Sequence, residues 1–353
     1  MSFNFYDTHN LLAAVQQLTP PTTFLRDRYF PSGDGDLFST TDVMVEYRDG
    51  SKRVAPFVAP RKGGVTILRS GYEVQRFEPP YIAPRRMLTI DDLNKRGFGE
   101  ALLSTLTPAQ RQNALILRDM QELSELITRR EEAMAAEVMQ TGGCIMKHIA
   151  DDVTDADEKR IQFYTGDSNP GEYTPAGDWG AGYTGILADI AAMCRMLTGR
   201  GLAAAELVVG ADAADAILAN AEVQKLLDIK NYNAGRIDPN TLPNGATHIA
   251  TLNAKGRLID VICYDEEYTE GSETKAYIDP KTVILTAPAA GRTLYGAVSQ
   301  VEQSDGQFHT YTGRRVPKYL SNAEGNTRTL TMTSCPLLIP NNKSPFIVAK
   351  VLA

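Results

Sequence analysis

The chain has 353 residues, 43% of them hydrophobic, and a formal net charge of −7. That is apolar material for a sizeable core and about two to three domains, and it excludes a disordered or low-complexity chain. The acidity argues against a dedicated nucleic-acid binder, whose affinity rests on clustered Lys and Arg.

No apolar run approaches the roughly 18 residues of a membrane-spanning helix. The opening residues MSFNFYDTHNLLAAVQQLTPP lack a basic stretch and carry Asp7, so they do not read as a secretory signal. Cys144, Cys194, Cys263 and Cys335 are far apart and form no CxxC pair. Buried free thiols are therefore expected, not disulfides or a zinc site.

Residues 1–42 read as an arm, its apolar stretch Leu11, Leu12, Val15 and Leu18 ending at Pro20-Pro21. Residues 43–88 alternate like strands. Val43, Val45 and Tyr47 share a face, Asp49-Gly50 is a hairpin signal, and Lys52–Val58, Val65–Leu68 and Tyr72–Phe77 are further strand-like stretches. From Glu46 to Arg86 there are nine bases against four acids. With few large apolar residues of its own, this segment is expected to lie against something else.

Thr107 is a candidate N-cap with Pro108 at the first helical position, and Gly142-Gly143 is a stop signal. Between them Ile116, Met120, Leu123, Ile127, Met134 and Val138 keep steps of 3, 4 or 7. The spacing predicts one helix over 108–140, about 50 Å long, with a single apolar stripe. It reads as a spar, since the stripe covers too few heptads for a coiled-coil seam.

Residues 151–180 read as an acidic, Gly/Pro-rich connector. After it the pattern predicts helices at Ile186–Leu197, Asp212–Leu218 and Glu222–Leu227. Strands are predicted at Glu206–Val209, His248–Leu252, Leu258–Tyr264, Lys275–Ile278, Thr282–Thr286, Phe308–Val316, Arg328–Thr333 and Phe346–Val351.

Gly180-Ala181-Gly182-Tyr183-Thr184-Gly185 fits G-x-G-x-x-G, but a loop precedes it where a dinucleotide site needs a strand. A glycine hinge is the plainer reading. His9, His148, His248 and His309 are scattered, and no serine elbow or phosphate loop occurs. Asp265-Glu266-Glu267 and the acids of 151–158 lack EF-hand spacing and read as solvated loops. No catalytic, cofactor-binding or metal site is expected. Trp179, the only tryptophan, reads as a packing anchor.

Three stretches carry a resemblance: Gly210–Leu218 followed by Glu222–Asp228; Thr282–Leu285 with Gly291–Ala297; and Thr333–Pro340. Together with the order of parts, they make the chain similar to the lambda-type phage major capsid proteins, the head protein E family. The resemblance implies an α+β fold of the Hong Kong 97 capsid type. Its expected parts are an arm (1–42), an extended hairpin called the E-loop (43–90) and a peripheral domain with the spine helix (91–165). An axial domain (166–296) and peripheral return strands (297–353) follow.

It also implies a non-enzymatic shell subunit, in hexamers and pentamers of an icosahedral tailed-phage head around double-stranded DNA. Implied partners are scaffolding protein, portal and decoration protein, with non-specific DNA contact, no membrane, and assembly in the host cytoplasm. A nucleotide-binding α/β enzyme using residues 180–185 is the rival reading, and another shell- or tail-forming virion protein is a third.

The charge distribution, read from the residues, points the same way. Residues 151–172 and 257–279 each hold seven acids against two bases. Arg48, Lys52, Arg53, Arg61, Lys62 and Arg69 are expected to contact acidic surfaces of adjacent copies, with Asp155, Asp157, Glu158, Asp265, Glu266 and Glu267 as counterparts. Each exposed pair contributes only about 0–1 kcal/mol, so specificity would come from repetition over a closed shell.

Overall fold

A computed structural model describes residues 11, 23–40, 42–47, 73–90, 92, 107–148, 157–180, 182–227, 235–303 and 306–353. Its organising element is a 34-residue helix, Pro108–Thr141. Both ends are set by the local chemistry that the sequence advertises. Thr107 Oγ1 accepts the Gln110 N–H at 3.3 Å, and Gln110 Oε1 accepts the Thr107 N–H at 2.9 Å, a reciprocal capping box. Gly142 ends the helix at φ 71, where its N–H reaches the Val138 carbonyl at 3.0 Å.

Two sheets pack along this helix. Ile116, Met120, Leu123 and Ile127 are buried against Leu330 and Met332. Those two belong to Thr327–Thr333, the middle strand of an antiparallel sheet with Val316–Asn322 and Arg85–Thr89. The C-terminal half of the helix, through Met134, Val138 and Met139, joins a second core with Tyr29, Phe30, Leu337 and Phe346.

The central sheet has six strands in the order Ile347–Lys350, Thr282–Thr286, Glu206–Val209, Leu258–Cys263, Thr247–Asn253, Gly235–Thr241. Only Glu206–Val209 and Leu258–Cys263 run parallel. Glu206–Val209 and Thr282–Thr286 are buried throughout because both sheet faces are covered. Leu207, Val209, Val261, Val283 and Leu285 face the helices Ile186–Gly199 and Ala211–Ala219. Their neighbours Val208, Ile262 and Ile284 point the other way, into the core that the long helix shares.

Val43–Tyr47 pairs antiparallel with Glu73–Phe77, so the base of the basic hairpin is formed, with Val45 and Phe77 buried. Phe77 packs on Phe163 at 5.0 Å between ring centres. The turn signal at Asp49-Gly50 and the stretches Lys52–Val58 and Val65–Leu68 lie outside the described residues.

Several sequence expectations are corrected. Within the connector 151–180, Asp157–Gln162 is a strand paired with Gly143–His148, because Ile161 and Phe163 bury beside Cys144 and Met146. The stretch Phe308–Val316 is two strands, Phe308–Tyr311 and Val316–Asn322, broken where Arg315 turns into the interior. The strand expected at Lys275–Ile278 is Glu273–Ala276, and Tyr277 and Ile278 enter the core. Strands Gly291–Gly296 and Pro336–Pro340 were not expected from periodicity. They pair antiparallel, Gly291 opposite Pro340, so two stretches that carry the family resemblance are neighbours in space.

Candidate functional site

Ile127 and Met134 are seven residues apart in the apolar stripe of the long helix, and the helical position between them is Glu131. Its side chain is fully buried. Glu131 accepts from Arg315 at 2.8 and 2.7 Å and from Arg26 at 2.7 Å. Burial opposes the charge of Arg315, but the Glu131 carboxylate outweighs it and raises the guanidinium pKa. Glu132, one residue on, accepts the N–H groups of Phe24 (3.0 Å), Leu25 (2.7 Å) and Arg26 (2.9 Å), and the Tyr264 hydroxyl at 3.0 Å. Burial raises its pKa against those donors.

These two acids fasten the segment around Leu25–Tyr29, the loop before Val316 and the Tyr264 turn to one side of the helix. Sequence reasoning missed them. The only signal was the seven-residue gap in the stripe.

Beside Glu132 lies a cleft of about 370 Å³ between the long helix and the turns at 244–245 and 264–267. Glu125, Arg129 and Glu132 line it from the helix, and Glu266 and Glu267 from the facing turn. Next to it the hairpin Glu267–Glu270/Glu273–Ala276 returns to the helix. Glu270 takes Lys275 at 2.9 Å and Arg130 at 2.8 Å, and these two cations hold its pKa down at about 2.

The glycine-rich loop is built differently from a phosphate cradle. Tyr183 fills the space beside Gly177 and Gly185, where an added Cβ would stand 2.8 and 2.5 Å from its ring and hydroxyl. Asp189, in the first turn of the helix Ile186–Gly199, is buried and accepts from Tyr173 Oη (2.9 Å), Trp179 Nε1 (3.0 Å) and Tyr183 Oη (2.8 Å). Burial and Asp189 together push both tyrosine hydroxyls up to about 12. A phosphate approaching this helix end would meet a carboxylate, which disfavours the nucleotide reading. Trp179 is 1% exposed and is the anchor its loop suggested.

Of the expected contact residues, Arg48, Lys52, Arg53, Arg61, Lys62, Arg69 and Asp155 lie outside the described residues. Asp157 and Glu158 open the strand that pairs with Gly143–His148, with Glu158 exposed. Asp265, Glu266 and Glu267 are exposed in the turn that ends the Leu258–Cys263 strand, and the last two border the cleft. Asp157-Glu158 and the acids of 265–267 therefore sit on separate elements. Two further bases of the hairpin segment are committed within the chain, Arg76 to Asp42 and Arg86 to Asp119 and Glu122.

Among the described residues, no group of three His, Cys, Asp or Glu could hold a metal ion. No helix among them is long and apolar enough to cross a membrane. Several large apolar side chains face outward, led by Phe308 (82% exposed), which stands opposite Val301 across its hairpin, and by Met44 and Met87.

A family model described as phage major capsid protein E matches residues 7–351. Among solved structures, a prophage protein of E. coli CFT073 assigned as a capsid protein is similar with a TM-score of 0.67 and 16% identity, covering 98% of this chain and 99% of its own. A phage-related protein of Bordetella bronchiseptica RB50 is similar at 0.50 and 11% identity, with 96% and 95% covered. No curated protein matches by sequence.

Proposed function

The chain belongs to the phage major capsid protein E family, and we propose that its copies assemble as hexamers and pentamers into an icosahedral head around double-stranded DNA. The family is a structural one, its place is the virion shell, and the fold is the Hong Kong 97 capsid type. The observation that carries the proposal is the family match over nearly the whole chain. On this reading the chain performs no catalysis. It assembles in the host cytoplasm with scaffolding and portal proteins, is held by a decoration protein, and touches DNA only weakly through scattered bases.

The arm (1–42) and hairpin (43–90) reach neighbours, the peripheral domain (91–165 and 297–353) holds the long helix, and the axial domain (166–296) converges at capsomer centres. The strand Ile347–Lys350 pairs with Thr282–Thr286, so it belongs with the axial sheet in that division. Outward apolar residues such as Phe308 and Met44 support buried contacts between copies.

Negative-stain microscopy and sedimentation of the expressed chain test the proposal. Shells or hexamers are expected. A monomer at every concentration, with or without scaffold, would sink it.

A further inference from the structure

We propose that the cleft beside the long helix binds a linear polyamine, a small molecule whose ammonium groups are joined by short methylene chains. The site lies within one copy of the chain, so the proposal stands apart from the shell-forming reading above.

The cleft gathers four carboxylates, Glu125, Glu132, Glu266 and Glu267, around one guanidinium, Arg129. Glu125 takes up Arg129 at 3.5 Å, and Glu132 is occupied by backbone N–H groups and Tyr264. The neighbouring bases Arg130 and Lys275 are committed to Glu270. That leaves Glu266 and Glu267 without a cation partner among the described residues. Gly245 makes room for the first of them, since a Cβ there would collide with the Glu266 carboxylate.

These charges do not converge on a point. No three of the described acids are placed to hold a metal ion, while the space they border is about 370 Å³. Negative charges spread around a roomy space match a ligand whose positive charges are themselves spread out. Part of the wall is aromatic. The rings of Tyr264 and Tyr277 stack 5.8 Å apart, with Tyr268 4.9 Å from Tyr277. Burial, with Glu132 and Glu266 adding to it, pushes the Tyr264 and Tyr277 hydroxyls up, so both rings stay neutral. Ammonium groups favour such faces.

An independent observation comes from Thr23, which lines the same cleft. It is only 8% exposed, yet its hydroxyl has no hydrogen-bond partner. A buried hydroxyl left unmatched beside two spare carboxylates is completed by an incoming N–H donor of positive charge.

Calorimetric titration of the full chain with spermidine, at neutral pH and fixed ionic strength, tests the proposal. Saturable binding of one molecule per chain is expected, with a melting temperature that rises with spermidine concentration. E266Q/E267Q keeps the shape, removes both spare charges, and should weaken binding about tenfold or more. E172Q/E324Q removes the same charge from exposed positions that do not line the cleft, and should stay within about twofold of wild type. Thr23→Val should weaken binding about threefold or more. Butylamine, with a single ammonium group, should bind at least about tenfold more weakly than spermidine.

No saturable binding to wild type, wild-type affinity in E266Q/E267Q or in Thr23→Val, or an equal loss in E172Q/E324Q would overturn the proposal. So would full competition by magnesium chloride at matched ionic strength, or butylamine binding as tightly as spermidine. These last two arms use wild type alone and decide the matter even where a variant fails to fold by circular dichroism. Particle formation is read separately by sedimentation, so failure of the shell reading leaves the binding result standing.

Discussion

Arg315 meets Glu131 at 2.8 and 2.7 Å in a place where helical periodicity calls for an apolar side chain, and both are almost wholly withdrawn from solvent. Arg26 completes the cluster from the N-terminal side. Removing the acid alone strands the buried Arg315 guanidinium without a carboxylate and leaves Arg26 with Asp27 only. Glu131→Ala is therefore expected to lower stability by about 3–5 kcal/mol in urea unfolding. Replacing Glu131, Arg26 and Arg315 together by apolar residues of similar volume should recover most of that loss. A single-variant loss under about 1 kcal/mol would show that water reaches the cluster.

Trp179 is the only tryptophan, so its emission reports one loop. Native emission is expected to be blue-shifted, as its ring is 1% exposed and its Nε1–H is bound to Asp189. Asp189→Ala orphans three donors and should shift the emission red while costing about 2–4 kcal/mol. Unchanged emission in that variant would contradict the packing described.

Glu270 supplies a pH dependence of definite sign. Its folded pKa, about 2, lies below the ordinary 4.5, so the folded hairpin binds fewer protons than the unfolded one. Its contribution is present above about pH 4.5 and fades as pH falls toward 2. Partial exposure limits it to about 1 kcal/mol or less. Hydrogen exchange of residues 267–276 should accelerate over that window in wild type, and not in Glu270→Gln. Equal acceleration in both would place the cause elsewhere.

Cys144, Cys194 and Cys335 are buried, and Cys263 is half-buried. Burial, aided by Asp265 and Asp215, pushes the Cys263 thiol up to about 11, so only about one molecule in a thousand carries its thiolate at pH 8. The folded chain should react very slowly with an aromatic disulfide reagent and release four equivalents in guanidinium. Fast labelling of one thiol under native conditions would contradict this.

The ends of the long helix offer two small, separable effects. Thr107→Ala removes the capping box and is expected to cost about 1 kcal/mol. Gly142→Ala forces a side chain into the left-handed region and to 3.1 Å from the Tyr164 ring, so it should cost at least about 1 kcal/mol. Chemical denaturation measures both. A stabilising Gly142→Ala would refute the cap assignment.

How much was legible depends on how local the cause is. The helix ends, Glu206–Val209 and Thr282–Thr286 follow from caps, spacing and continuous apolar runs, and the sequence reading places all of them. Asp157–Gln162 stayed hidden because its acids dominate the composition while its reason, Ile161 and Phe163 against the far end of the long helix, is tertiary. Glu131 has its answer 184 residues away, beyond any window of periodicity. Glu266 and Glu267 were readable as an acidic turn, but not as the wall of a cleft, since the opposite wall is a helix about 140 residues earlier.

The strand Ile347–Lys350 closes the edge of a sheet whose next strand, Thr282–Thr286, is buried throughout, and the core it borders also takes in Phe24 and Phe346. During synthesis, then, the central sheet waits for residues made about 60 positions after its strand Thr282–Thr286. A chain broken off before residue 347 would leave Val283 and Leu285 along an open edge, a template for sticking to other nascent chains. The order of translation thereby acts as a check: this side of the sheet is covered only once residues 347–350 have been made and paired.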